Sequence, residues 1–277
     1  MIAFDEYLGR INRGYKENIS GNVHYLSVPA LDELGFLKNG FTTRKGGISL
    51  PPYDSLNLSF KRTRSLEETL ENIRIAAEAM GMEYEDLIIA NFVHGKEIMV
   101  VGKEERGIGI TRPQTLPECD GLITMERNCV PVSMHADCCQ IIFADRNGKA
   151  IGTLHSGWKG TSLRTVTALI GKMESLGIRR EDIIFGIGPC ISGKYYEIKE
   201  DVASVFRGEF PFAVIEREDK IFLDLQGILL CQLDEENIPP ENVTVADLCT
   251  YEREDLFYSY RRDGNDAGVM GSFICYR

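Results

Sequence analysis

The stretch HADCCQIIFADRNGKAIGTLHSGWKG, His135 to Gly160, carries two adjacent cysteines near one end and a histidine near the other, close to the only tryptophan of the chain. A thiolate and an imidazole brought together can share a metal ion, at about 2.3 Å and 2.0 Å from it. They can also hydrogen-bond directly as nucleophile and base. In a third reading neither chemistry exists: Cys138 is a buried thiol of the core and His155 an isolated, hydrogen-bonded side chain. Asn147-Gly148 is the strongest short hairpin signal in the chain. A turn centred there sets Gln140 opposite His155 and Asp145 opposite Ala150. Opposed residues share a face and side chains alternate, so Cys138 falls on the His155 face one diagonal step away, while Cys139 points the other way. Diagonal partners lie roughly 7–8 Å apart at the backbone. A bulge or a slipped turn would exchange the two cysteines.

A third ligand would favour the metal. The chain has four histidines. His94, in NFVHGKEI, ends an expected strand beside Gly95. His135 is expected on the wrong face, and His24 lies outside the expected core. His94, Cys138 and His155 would make a three-ligand zinc site with a vacant fourth position, the pattern of catalytic zinc. For an anionic substrate the candidate donors are Arg44, which precedes Gly46-Gly47, and Lys159, which stands just before a helix. Cys190, in GIGPC, follows a strand and either lines a pocket or is a structural thiol. Trp158 is read as a base-stacking residue or as core. Arg261-Arg262 with Asp263 reads most simply as an exposed turn.

The elements that must position these residues can be read from patterning. Ser65-Leu-Glu-Glu68 is a capping box opening a helix to about Met80, with Gly81 as its stop. Helical periodicity also covers 161–176, 199–207 and 225–235. Strand patterns cover 87–93, 97–101, 130–134, 140–145, 150–155, 182–188, 243–247 and 256–261. Short turns join strands as often as helices do. That predicts an α+β fold of mixed and antiparallel sheets with helices packed outside. No repeat or linker divides the chain, so residues 1–277 are expected to form a single domain, with 1–34 a peripheral lead-in.

Composition narrows the function. With 31 Lys+Arg against 42 Asp+Glu the net charge is −11, which repels a phosphate backbone and argues against nucleic acid as the main partner. No apolar run approaches the ~18 residues of a membrane span, and the first twenty residues have no signal-peptide core. A cytoplasmic protein is expected. The eight cysteines contain no CxxC, so neither a zinc ribbon nor a thioredoxin-like motif is indicated.

At these same residues the chain resembles the laccase-domain family, once described as multicopper polyphenol oxidoreductases and now regarded as purine nucleoside phosphorylases. The matching stretches are FTTRKGGIS (41–49), YDSLNLS (53–59), VHG (93–95), CDGLIT (119–124), ADC (136–138), HSGWKGT (155–161), GPCI (188–191) and CTYEREDLFYSYRRDG (249–264). The resemblance implies a layered α+β fold similar to a bacterial toxin cysteine hydrolase. It implies zinc held by His94, Cys138 and His155, and phosphorolysis of adenosine, inosine, guanosine and methylthioadenosine with some adenosine deamination. Phe92, Cys139, Ser156 and Lys159 depart from the family's commoner residues; the three ligands do not.

Deamination would bring water to C6 of adenine and needs a proton shuttle; Asp137 and Glu97 are near the ligands in sequence only. Phosphorolysis would bring phosphate to C1′ of the ribose. Competing expectations are a cysteine hydrolase with Cys138 as nucleophile and His155 as base, a copper-dependent phenol oxidase, and a non-enzymatic binding protein. Multicopper oxidation needs dense histidine clusters, which four scattered histidines cannot supply.

Overall fold

The Asn147-Gly148 turn closes where the sequence places it, and the pairing of its two arms runs Ile151 with Ala144 through His155 with Gln140 to Ser156 with Cys139. Around this hairpin the computed structural model, which describes residues 3–277, arranges sixteen strands. They are β1 (Asn12–Arg13), β2 (Lys16–Ser20), β3 (Val23–Ser27), β4 (Leu37–Thr42), β5 (Leu87–Ile89), β6 (Ile98–Val101), β7 (Gly121–Thr124), β8 (Val130–His135), β9 (Cys139–Asp145), β10 (Ile151–Ser156), β11 (Ile183–Ile187), β12 (Glu197–Ile198), β13 (Val214–Arg217), β14 (Lys220–Leu223), β15 (Val243–Val245) and β16 (Met270–Tyr276). The α-helices are α1 (Phe4–Arg10), α2 (Pro29–Asp32), α3 (Leu66–Ala79), α4 (Trp158–Ser162), α5 (Thr165–Ser175), α6 (Glu200–Arg207), α7 (Leu225–Glu235) and α8 (Tyr260–Asp263).

The strands form a seven-stranded sheet, β1-β15-β11-β9-β10-β7-β6, a six-stranded sheet, β2-β3-β4-β16-β8-β5, and a small sheet, β12-β14-β13. Most pairs are antiparallel; β1/β15, β11/β15, β6/β7 and β5/β8 are parallel. The fold is therefore α+β with mixed sheets, as the strand–turn pattern predicts. Alternation along β9 decides the layering. Ile142 and Ala144 pack with Leu26, Leu37 and Phe41 of the six-stranded sheet. Cys139, Ile141 and Phe143 face the other way, onto Val166, Leu169 and Met173 of α5 and Leu229 and Leu233 of α7. Ile73, Ala76 and Ala77 of α3 cover the far face of the six-stranded sheet. Cys138 has the parity of Ile142, so it belongs to the seam between the two large sheets.

Three expectations need correction. The lead-in is not peripheral: β1 extends the seven-stranded sheet, β2 and β3 extend the six-stranded one, and Leu26, Val28 and Leu31 are fully buried. The helix expected over 161–176 is two helices, broken at Arg164, whose backbone is left-handed (φ 57). The Arg164 guanidinium is held by Glu209 and Glu235, a tertiary anchor that helical periodicity does not register. Residues 256–261 form no strand. Leu256, Phe257 and Tyr258 are buried, but the Tyr258 amide is aimed at the Met270 sulfur, and Ser259 caps α8 by accepting from the Arg262 amide at 3.2 Å.

Candidate metal centre

His94, Cys138 and His155 converge at one end of the inter-sheet seam, and their ligand atoms all lie within 4.8 Å of one another. Each arrives by a different local device. His155 is near the end of β10, opposite Gln140, and is 3% exposed. Cys138 stands just before β9, where its hairpin partner is Gly157. A Cβ at residue 157 would sit 3.0 Å from Cys138 Sγ and 3.5 Å from His94 Cδ2, so glycine leaves the space in which these side chains meet. His94 lies in a turn after β5 with left-handed backbone (φ 61), and its ring centroid is 4.8 Å from that of His155. Cys138, the cysteine that the hairpin parity sets on the His155 face, is the one that lies beside that imidazole. Cys139 faces the helical side and is fully buried.

The residue that organises the centre is Asp120, which sequence reasoning missed. Its carboxylate is fully buried and accepts from the amides of His94 (2.9 Å) and Gly95 (2.6 Å) and from Val93 (3.4 Å). The same carboxylate lies 2.9 Å from His155 Nδ1, and the His155 amide donates to the Asp120 carbonyl at 2.7 Å. One anion thus shapes the His94 turn and orients the His155 ring. Nδ1 is directed at Asp120, which leaves Nε2 as the nitrogen for an ion. Burial opposes the Asp120 charge, but His155 and the Gly95 and His94 amides outweigh it and hold the carboxyl below its ordinary range. Asp120 lay in the matched CDGLIT stretch, the only signal that could have marked it.

The electrostatics suit a cation. Burial alone would lower the His155 pKa; Cys138 and the Asp120 carboxylate override it and raise the imidazole to about 9. An environment that holds a proton on a buried imidazole also favours a metal ion in its place. His94 is shifted the other way, by desolvation of its ring and by the charges of His155 and Lys159 against the pull of Asp120. A soft thiolate with two imidazoles is a donor set for zinc and other borderline metals. Residue exposure falls from His94 through Cys138 to His155, so the group is reached from the His94 side.

The other candidates separate. Lys159, exposed on the first turn of α4, lies near enough to depress His94, and its ammonium is 5.7 Å from the Trp158 ring. Trp158 itself packs against the helical core. Arg44 is committed elsewhere: it donates to the carbonyls of Asp54 (3.0 Å) and Glu254 (3.3 Å) and lies 4.7 Å over the Tyr258 ring. Cys190 is a buried thiol in the core cluster that also holds Cys139, with Gln226 at 3.6 Å. Asp137 is no free proton shuttle, because its buried carboxylate accepts from Thr250 Oγ1 (2.6 Å) and the Arg261 amide (2.7 Å). Glu97 is exposed, and its carbonyl accepts from the Asp120 amide at 3.0 Å. His135 is buried, and His24 faces Glu17 at 3.6 Å within the β2–β3 hairpin. Arg262, expected in an exposed turn, is instead half-buried and donates to the Thr250, Tyr251 and Phe257 carbonyls.

Residues 38–277 match the family described as multi-copper polyphenol oxidoreductase laccase. The chain is 36% identical over 240 residues to a purine nucleoside phosphorylase of Deinococcus radiodurans, covering 85% of this chain and 88% of that protein. It is 30% identical over 241 residues to the purine nucleoside phosphorylase YlmD of Bacillus subtilis, covering 85% and 87%. The crystal structure of YlmD from Geobacillus stearothermophilus superposes with a TM-score of 0.88 at 28% identity, covering 95% of this chain and 98% of that one. With its fold and its matched residues in agreement, the chain belongs to the laccase-domain family.

Proposed function

We propose that the chain is a zinc-dependent purine nucleoside phosphorylase. Adenosine, inosine, guanosine or methylthioadenosine would react with phosphate to give free base and the ribose 1-phosphate, and adenosine deamination is a second activity. The observation that carries this is the convergence of one cysteine sulfur and two imidazoles, accessible on one side, in a chain akin to proteins named for that activity. His94, Cys138 and His155 would hold the ion, which supplies Lewis-acid stabilisation of developing negative charge.

The remaining work falls to side chains. Asp120 fixes the His155 tautomer and the His94 turn. Lys159, beside His94, offers a cation to phosphate. In phosphorolysis a phosphate oxygen bonds to C1′ as the glycosidic bond breaks, and the departing purine takes up a proton. Asp137 is engaged by Thr250 and Arg261, so that proton comes from another donor.

A second reading, a cysteine hydrolase, draws on the closeness of Cys138 and His155, whose Sγ and ring nitrogen lie within 4.8 Å of one another. Copper-dependent phenol oxidation is disfavoured, because the other two histidines stand apart: His24 beside Glu17 and His135 in the interior. The deciding experiment measures release of free base from adenosine with and without phosphate, alongside elemental analysis of the purified protein. Phosphate-dependent release with stoichiometric zinc supports the phosphorylase. Full activity in chelator that is lost on alkylation supports the hydrolase and overturns it.

A further inference from the structure

Beside the centre lies a cleft of ≈ 560 Å³, within the size range of small-molecule sites. Its apolar lining includes Ile89, Ala90, Phe92, Ile110 and Met134. Phe92 joins it to the centre: the ring lines the cleft and its centroid is 5.7 Å from that of His155. Three cations, Lys61, Arg62 and Arg112, stand on the same cleft. In a chain of net charge −11, cations ordinarily find carboxylates. Among the described residues these three form no ion pair. Arg112 donates only to the carbonyls of Glu104 and Arg106. The Arg62 guanidinium lies 5.1 Å over the Tyr260 ring, and its buried Nε has no hydrogen-bond partner. An apolar slot with an aromatic wall and an unpaired guanidinium is complementary to a flat ring accompanied by an oxyanion.

We propose that this cleft binds the purine nucleoside with its base against Phe92, and that Arg62 holds the phosphate that reacts with it. The proposal rests on the phosphorylase reading and extends it to a recognition site that none of the metal ligands supplies. Arg62 joins Lys159 as an anion donor in place of Arg44, the other candidate in the sequence, since Arg44 is occupied by Asp54 and Glu254.

The test titrates the zinc-loaded protein calorimetrically with adenosine and, separately, with inorganic phosphate, then repeats both with Arg62→Gln and Phe92→Ala. Arg62→Gln should weaken phosphate about tenfold and leave adenosine unchanged. Phe92→Ala should weaken adenosine about tenfold and leave phosphate unchanged. Zinc content should match the wild type in both variants, which separates lost recognition from lost folding. Wild-type binding of both ligands by both variants, with phosphorolysis intact, overturns the cleft assignment and leaves the enzymatic reading standing. A wild-type protein that neither binds adenosine nor releases base overturns the enzymatic reading itself.

Discussion

Two buried histidines, His135 and His155, lie on neighbouring strands of the inter-sheet seam and are driven in opposite directions. Burial pushes His135 down to about 3, reinforced by the charge of His155. His155 is as deeply enclosed, yet Cys138 and Asp120 raise it to about 9. Cys138 and Cys139 repeat the contrast for thiols. One residue of parity sends the first into the seam beside two imidazoles and the second into the apolar layer under α5 and α7. Burial by itself makes these groups inert; an anion or a second donor within reach makes a site of them.

Breaking the contrast at its centre should have the largest effect. Cys138→Ala should abolish zinc binding and phosphorolysis, whereas Cys139→Ala should keep both; equal retention of the two properties in both variants would refute the ligand assignment. Asp120→Asn should cost roughly 10–100-fold in metal affinity, since an amide can no longer orient both His155 and the His94 turn as an anion does. Competition with a chromophoric chelator would measure it, and an unchanged affinity would remove Asp120 from the account.

Smaller effects sharpen the contrast through pH. His155 must release its proton to bind an ion, and in the metal-free protein its pKa is raised to about 9. Apparent metal affinity should therefore climb as pH rises towards 9, a trend visible in the same competition assay. For His135 the sign is reversed and the observable is stability. Its folded pKa is depressed from 6.5 to about 3, so its contribution is complete above pH 6.5 and is lost as pH falls from there. His135→Gln, which carries no titratable group, should flatten the acid limb of a urea-denaturation series. The mildest change is Cys139→Ala, expected to lower stability by ~1 kcal/mol through a small core cavity.

What could be read from sequence follows from how local the cause is. The 140–155 hairpin was legible because Asn147-Gly148 specifies turn and register within a few residues, and register dictates which thiol faces His155. The helix α3 was legible because Ser65 accepts from the Glu68 amide at 3.1 Å within one turn. Asp120 was not legible from spacing, since its partners come from the His94 turn and from β10, and nothing in CDG announces either. The break at Arg164 depends on Glu209 and Glu235, far along the chain. Leu256 to Tyr258 look strand-like because they are buried, but their backbone serves Arg44 and Met270 instead of a ladder.

The early strands carry one more consequence. β3 lies along β4, and β1 along β15, so residues 12–27 occupy two sheet borders at once. A chain trimmed to begin at residue 38, where the family match begins, would bare the hydrogen-bonding flank of β4 and uncover Phe41 and its neighbours. Such naked borders are templates for pairing between molecules. The shortened protein should self-associate into larger particles even with every metal ligand in place.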